Sequence, residues 1–392
     1  GGIRATVLSS LHLNFQKAIV HRPIFDLAHD RGDHDPRYEF QTNMVECHCN
    51  QLAAFARTSG GDSLKIWDGT LAATERDRQP AATICDPATV SPSLAENDSS
   101  VIHFYKPVIL VARRDDHNPF FQISSALNAW IMAKSLDWDL TMTRVVHFDG
   151  GYPSPVDELH QKLLSPSQEI VKGQALVSKQ VVFHSQVMLA PIENTGPMMQ
   201  HLDDTEPCAN SDLFHSFRSL ALEVMGVSGK RASTSAALVV TVISRRPYSG
   251  RRVQRVWTNE AEILDRMRAE YADLNIAIQS VDFVDLTMAQ QMRTIVDSDV
   301  VIGMHGAGMV NVFWTRPETL VVEIFPRRRF RWGYRNLCQF LGCDWHEFRG
   351  GIDTGGTGGG ANARDKWIEH AQWKQFVDPL VRDRYAAMKI IR

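Results

Sequence analysis

The sequence predicts an α/β protein of two domains, each a parallel sheet with helices on its faces. Three observations carry this. At 392 residues the chain exceeds one ordinary domain and suits two, each able to bury its own core. From Val101 onward, short apolar runs alternate with segments whose apolar residues recur at helical spacing. The buried-strand pattern Val300-Val301-Ile302 then breaks into a small-residue turn, Gly303-Met304-His305-Gly306-Ala307-Gly308-Met309, that can open a helix at about Gly308.

Residues 1–100 have little periodicity and many breakers, and are expected as a loop-rich segment wrapping the first domain. That domain covers 101–235. In it Val101–Arg113 reads as a strand, Phe120–Leu136 as a helix carrying Ile123, Leu127 and Trp130, and Thr143–Phe148 as a strand. A helix near Pro155–Leu164 and a strand at Val181–Leu189 follow, and an irregular junction holds a helix at Leu213–Met225. The second domain covers 236–349. Its strands are Ala236–Ile243, Ile276–Val284, the run ending at Gly303, and Thr319–Phe325, which makes it Rossmann-like. Asn259 with Glu262, and Thr287 with Gln290, read as capping boxes. A helix near Tyr334–Leu341 closes at Gly342. Residues 350–364 are too glycine-rich to pack and read as a flexible linker. The final segment, 365–392, has a helical stripe (Trp367, Ile368, Phe376, Val381, Tyr385) read as core packing that could return to the first domain.

Hydrophobic residues make up 44% of the chain and the formal net charge is −3. Neither nucleic acid nor an anionic membrane is implied as a partner. No apolar stretch reaches the length of a membrane span, and no signal-peptide pattern opens the chain. Cys47, Cys49, Cys85, Cys208, Cys338 and Cys343 lack the paired spacing of a zinc site, which leaves disulfides and free thiols both open. The sequon Asn97-Asp98-Ser99 suits a secretory protein.

Function is sought where strand ends converge. Ser244 and Arg245 follow one strand, His305, Gly306, Ala307, Gly308 and Met309 follow another, and Glu323 lies in the next. Glycines let a phosphate approach the backbone, amides at the helix start point at it, and arginine grips its oxygens. Glu323 could hold a ribose hydroxyl or orient a neighbouring base. These groups together would stabilise a departing nucleoside diphosphate. The strings Asp137-Trp138-Asp139 and Asp297-Ser298-Asp299 echo metal-binding Asp-x-Asp motifs. Both precede strands, on the far edge from a ligand, so they are read as helix-end and turn residues, with no metal in the site. Trp332 and Tyr334 suit either stacking on a sugar or core packing.

The strings ISRRPYSGRRVQRVWTNEAEIL (243–264), SDVVIGMHGAGMVN (298–311) and VVEIFP (321–326) resemble glycosyltransferase family 61, with VVHFDGG and ARTSGGDSL as weaker upstream matches. Within the family the likeness is to plant-type N-glycan β-1,2-xylosyltransferases. The resemblance implies a GT-B fold of two Rossmann-like domains facing a cleft and an inverting, metal-independent transfer. It also implies a UDP-sugar donor such as UDP-xylose, no further cofactor, a glycoprotein N-glycan acceptor, and a Golgi type II membrane protein whose anchor lies outside this chain. One departure stands out: Phe121 and Ser125 occupy the positions of the family's His and Asp, and neither can act as a base. Inversion needs a base. Asp149, at a strand end beside two glycines, is the first candidate, with Asp116 and His117 behind it. Three rivals stay open: a catalytically silent UDP- or sugar-binding protein, a family member using another donor such as UDP-GlcNAc, and a dinucleotide oxidoreductase suggested by Gly306-x-Gly308. The last is weakened because the turn follows the third strand of its domain and Asn311 stands where a third glycine belongs.

Overall fold

The structure is a computed structural model of the 392-residue chain. It describes residues 6–8, 11–17, 19–21, 37–39, 45–47, 98–111, 118–147, 154–176, 178–190, 196–200, 209–232, 237–246, 253–328, 331–355 and 364–391. The chain divides into two compact units, Gly1–Met199 and Gln200–Arg392.

Among the described residues, ten strands lie in the first unit: β1 (Thr6–Leu8), β2 (Leu11–Asn14), β3 (Ile19–His21), β4 (Arg37–Glu39), β5 (Val45–Cys47), β6 (Val101–Phe104), β7 (Val108–Val111), β8 (Arg144–His147), β9 (Gln180–Phe183) and β10 (Val187–Leu189). They form two four-stranded mixed sheets, β1-β10-β7-β8 and β5-β2-β9-β6, and a β3-β4 pair, where one parallel sheet was expected. The runs Val101–Arg113 and Val181–Leu189 each supply two strands. Pro107 and the His184-Ser185-Gln186 turn interrupt them, and the halves enter different sheets. Strands β1, β2 and β5 join these sheets antiparallel, so part of the N-terminal segment is sheet.

Among the described residues, two helices of eight or more residues belong to this unit. Helix α1 (Pro119–Ser135) starts at Asn118, whose Oδ1 accepts the Phe120 N–H at 3.2 Å, with Pro119 in the first turn. It buries Ile123, Leu127 and Trp130, and also Gln122, Ser125 and Asn128. Helix α2 (Asp157–Leu164) packs on α1 and β8.

The second unit holds one fully parallel sheet. Its strands are β11 (Leu238–Ser244), β12 (Ile276–Asp282), β13 (Val300–Met304), β14 (Leu320–Ile324) and β15 (Asp344–Phe348), in the order β12-β11-β13-β14-β15. The order is that of a doubly wound sheet, and β15 is a fifth strand that the apolar pattern of the sequence does not announce. Its helices are α3 (Asp212–Val224), α4 (Glu260–Glu270), α5 (Met288–Asp297), α6 (Gly333–Leu341) and α7 (His370–Ile391), with a 3-10 helix at Ala307–Trp314.

The core joins Val240, Val242, Ile302 and Val322 of the sheet to Ile263 and Met267 of α4 and to Trp373, Val377 and Val381 of α7. Helix α7 therefore completes the core of the second unit. The Thr287–Gln290 capping box on α5 forms in both directions, at 3.3 and 2.9 Å. The Asn259–Glu262 box does not. The Asn259 side chain instead bonds the backbone of Ile368, donating to its carbonyl at 2.8 Å and accepting its N–H at 3.0 Å.

Part of the expected linker is ordered. Strand β16 (Ile352–Thr354) pairs antiparallel with β17 (Asp365–Trp367), and the fully buried Lys366 reaches Asp353 Oδ1 and the Gly350 carbonyl, each at 2.8 Å. Residues 356–363 lie outside the described residues. Cys338 and Cys343 form a disulfide across Gly342, which ends α6 with φ 72°. Cys49, Cys85 and Cys208 lie outside the described residues. Among those described, no helix is long and apolar enough to cross a membrane.

Trp373 is fully buried, with Trp257 at 5.0 Å and Phe348 edge-on at 5.1 Å between ring centroids. Trp373→Ala is expected to cost about 3–5 kcal/mol in urea unfolding. A loss below about 1 kcal/mol would mean that α7 is not part of this core.

Candidate functional site

In a sheet of order 2-1-3-4-5 the crossovers diverge between the first and third strands, and ligands collect outside the carboxyl ends there. In this chain those strands are β11 and β13. Ser244 ends the first and Arg245 follows it; Met304 ends the second and His305–Met309 follow. Topology alone brings the two predicted segments side by side.

The centre of the site is a buried acid. Glu323 lies in β14 with no solvent exposure. Its Oε1 is 2.5 Å from His305 Nδ1, and its Oε2 accepts the indole N–H of Trp345 at 3.0 Å. A buried carboxylate must be paired in this way. Both oxygens are committed, so Glu323 orients His305 and does not reach a ribose. The His305 ring stacks on Phe325 at 4.8 Å with 19° between planes, and Tyr334 stands at 5.7 Å. Its backbone N–H donates to the Ile324 carbonyl at 2.8 Å. With Nδ1 turned to the carboxylate, Nε2 is the ring nitrogen left for a ligand.

Arg245 lies over the turn. A Cβ on Gly306 would stand 2.2 Å from Arg245 Nη1 and 2.8 Å from Cζ. Gly306 itself has φ 163°, an extended backbone open to any residue, so the guanidinium above it is what demands glycine. Arg245 Nε donates to the Gln254 carbonyl at 3.2 Å. A second arginine joins from the far end of the same basic cluster: Arg255 Nε donates to the His305 carbonyl at 2.8 Å. Sequence reasoning did not single out Arg255, and membership of the Arg245–Arg255 cluster was its only signal. Burial holds the Arg255 guanidinium below its usual pKa, while the Tyr334 phenol works the other way.

The N–H groups of Ala307 and Gly308 precede the first bond of the 3-10 helix, which runs from Met309 N–H to the Gly306 carbonyl at 2.9 Å. Met309 offers a ligand nothing. Its N–H is used in that bond and its side chain is buried, with Sδ 2.6 Å from where a Gly303 Cβ would stand. Ser244 belongs to a network beside the turn: its hydroxyl donates to Glu260 Oε2 at 3.0 Å and accepts from Arg246 Nε at 3.2 Å. Tyr334 is core against His305. Trp332 carries the Arg335 guanidinium 4.4 Å above its ring.

The Asp-x-Asp strings serve the scaffold. Asp139 caps the turn at Leu140–Met142 by accepting the Thr141 N–H at 2.9 Å, and Asp137 takes a left-handed conformation, φ 54°. Asp297 pairs with Arg293. Asp299 is buried between Arg231 and Arg316, each at 2.7 Å, and accepts the Val239 N–H at 2.9 Å. The candidate bases Asp149, Asp116 and His117 lie outside the described residues. Among the described residues, His147, Asp157 and His160 of the first unit form a cluster of metal-ligating type.

Burial, and then the Glu323 charge, raise the Tyr334 phenol pKa, against the opposing pull of Arg245 and Arg255. Burial raises Tyr271 as well. A folded pKa above the unfolded value gives stability that is complete below about pH 10, where an unfolded tyrosine begins to ionise, and is lost as pH rises beyond it. Unfolding titrations from pH 9 to 12 should show this alkaline loss, reduced in Tyr334→Phe and further in the double variant with Tyr271→Phe. Identical pH profiles would show that neither phenol is held neutral.

The family model described as Glycosyltransferase 61 matches residues 183–322, a span that contains Ser244, Arg245 and the His305 turn. The chain is 22% identical over 271 residues to "Beta-1,2-xylosyltransferase RCN11" of Oryza sativa subsp. japonica, covering 62% of this chain and 49% of that protein. It is 27% identical over 128 residues to "Beta-1,2-xylosyltransferase" of Arabidopsis thaliana, covering 29% and 24%. The chain thus spans about half or less of the curated relatives it matches. Among solved structures, the E. coli heptosyltransferase WaaC with ADP aligns at 9% identity and TM-score 0.28, over 71% of this chain and 99% of that one, a likeness too low to bear weight. Ser244, Arg245 and the His305 turn of the β11–β13 site thus fall within the span that matches the glycosyltransferase 61 model, Glu323 lies just beyond it, and the chain is similar to the plant β-1,2-xylosyltransferases.

Proposed function

We propose that the chain is an inverting glycosyltransferase that moves xylose from UDP-xylose onto the core mannose of a glycoprotein N-glycan in β-1,2 linkage. The second unit takes the donor and the first unit the acceptor, in the Golgi lumen, as a type II membrane protein. The observation that carries the reading is the meeting of Arg245 with Gly306 beside a His305 oriented by Glu323, at the switch point of the sheet. Arginine, histidine and the amides of Ala307 and Gly308 supply donors where charge builds on a departing diphosphate, the role a divalent ion plays in other transferases. Asp149 is the base in this reading. The plant relatives, both named β-1,2-xylosyltransferases, support xylose as the sugar.

A silent UDP-binding protein is the second reading, motivated by Phe121 and Ser125. Both lie on α1, where Ser125 is buried. The site on β11 and β13 would serve either protein equally.

Isothermal titration with UDP should show His305→Ala and Arg245→Ala each weakening binding by at least about tenfold, the scale of a charge-assisted hydrogen bond. Unchanged affinity in both would remove the diphosphate from this turn. Gly306→Ala is expected to weaken UDP binding by pushing Arg245 aside, with the melting temperature nearly unchanged because φ 163° suits alanine. Incubation with UDP-xylose and a mannose-core glycan separates the two readings. Product with release of UDP supports transfer; UDP binding without product from UDP-xylose or UDP-GlcNAc supports the silent protein.

A further inference from the structure

The first unit holds a second group of chemically capable side chains, unrelated to the β11–β13 turn. His147 ends β8, and Asp157 and His160 stand three residues apart on α2, so they share one helix face. Both histidines are fully buried, and one ligating atom from each of the three residues lies within 4.8 Å of the others. An acid and a histidine at i and i+3 on a helix, facing a histidine from another element, is an arrangement that metal sites use.

The hydrogen bonds assign the tautomers. His160 Nε2 is 3.2 Å from the Gln122 carbonyl, which can only accept, so the proton is on Nε2 and the Nδ1 lone pair faces inward. That Nδ1 is 3.3 Å from His147 Nε2. Two nitrogens bound to zinc at about 2.0–2.1 Å with a tetrahedral angle stand about 3.3–3.4 Å apart, so the spacing suits one shared ion. A backbone carbonyl behind a ligating histidine is the usual outer-shell support. His147 Nδ1 lies 3.5 Å from Lys172 Nζ and 4.0 Å from Asp157 Oδ1, and Lys172 is ion-paired with Asp157.

We propose that His147, His160 and Asp157 form a site for a divalent transition-metal ion of the zinc type, and that the Lys172 ammonium is the cation such an ion displaces. On binding, the His147 proton moves from Nε2 to Nδ1, beside Asp157, and its Nε2 lone pair turns to the ion. Lys172, whose side chain is 32% exposed, turns to water. Three protein ligands leave a fourth position for water. The ion ties β8 to α2. The site stands or falls independently of the transferase reading.

The probe is Co²⁺ titrated into the chelator-treated full chain, read by its visible absorption and by competition with Zn²⁺. Saturable binding of one ion with a tetrahedral-type spectrum is expected. His160→Gln and Asp157→Asn should each weaken it by at least about 10- to 100-fold, the range that loss of an outer-shell partner alone commands. Lys172→Met should tighten it. The circular dichroism of each metal-free variant reports folding, and Asp157→Asn, on the half-exposed side of the cluster, keeps the test valid if His160→Gln does not fold. No saturable binding, or binding unaffected by Asp157→Asn, overturns the proposal. So does binding lost in His184→Gln, since the pair His103 and His184, with ring nitrogens 2.9 Å apart, is another place among the described residues where an ion can sit. Binding that Lys172→Met leaves unchanged overturns the displacement by the ion.

Discussion

A carboxylate placed inside a parallel sheet cannot stay there alone, and the second unit is arranged around satisfying one. Glu323 is fully buried in β14, and its two oxygens are met by His305 and Trp345. Losing one partner of such a group costs far more than the pair contributes, because the remaining charge is left without water. The bond to His305 therefore sets more than a ring orientation. It holds the first residue of the turn after β13, whose carbonyl anchors Arg255 and whose next residue, Gly306, makes room for Arg245. The bond to Trp345 makes β15, at the edge of the sheet, part of the same arrangement. A position in the middle of the sheet thus controls side chains at its rim.

Topology does the rest. Because β12 lies on one side of β11 and β13 on the other, the chain leaving β11 and the chain leaving β13 are neighbours although some sixty residues separate them. The pairing is enforced by the register Val240↔Val300 through Ile243↔Gly303, which places Ser244 and Met304 level. Glycine at 303 then lets the 3-10 helix fold back closely enough for Met309 to seal the core beneath the turn.

Much of the second unit was legible in the sequence because its signals are local. Strands β11, β13 and β14 are continuous apolar runs, and the Thr287–Gln290 cap needs only two residues three apart. Features decided by distant partners were not. Strand β15 reads Asp-Trp-His-Glu-Phe, too polar to look buried, and exists because β14 offers it a ladder. Asn259 resembled half of a capping box but found the Ile368 backbone, and the glycine-rich stretch after Gly350 is partly a strand because Asp365–Trp367 returns to pair with it. In the first unit the apolar runs around Pro107 and Ser185 were visible, yet which sheet each half joins depends on strands far away in the chain. The chemistry followed the same rule: the turn and Arg245 were readable, while the part played by Glu323 and the arrival of Arg255 depended on who stands opposite.

The electrostatics bear on the proposal that this turn takes an anion without an ion to bridge it. Burial depresses the Arg255 guanidinium, which means the fold holds that cation where water solvates it poorly. Tyr334 is kept protonated by its own burial and offers no countercharge. Two guanidiniums and two backbone amides without helical partners are thus gathered at one strand edge, while three Asp residues of the two Asp-x-Asp strings are committed elsewhere: Asp299 to Arg231 and Arg316, Asp297 to Arg293, Asp139 to its own turn. A diphosphate arriving there would relieve a cost already present in the folded chain, which is how preorganised positive charge stabilises a leaving group more than solvent can.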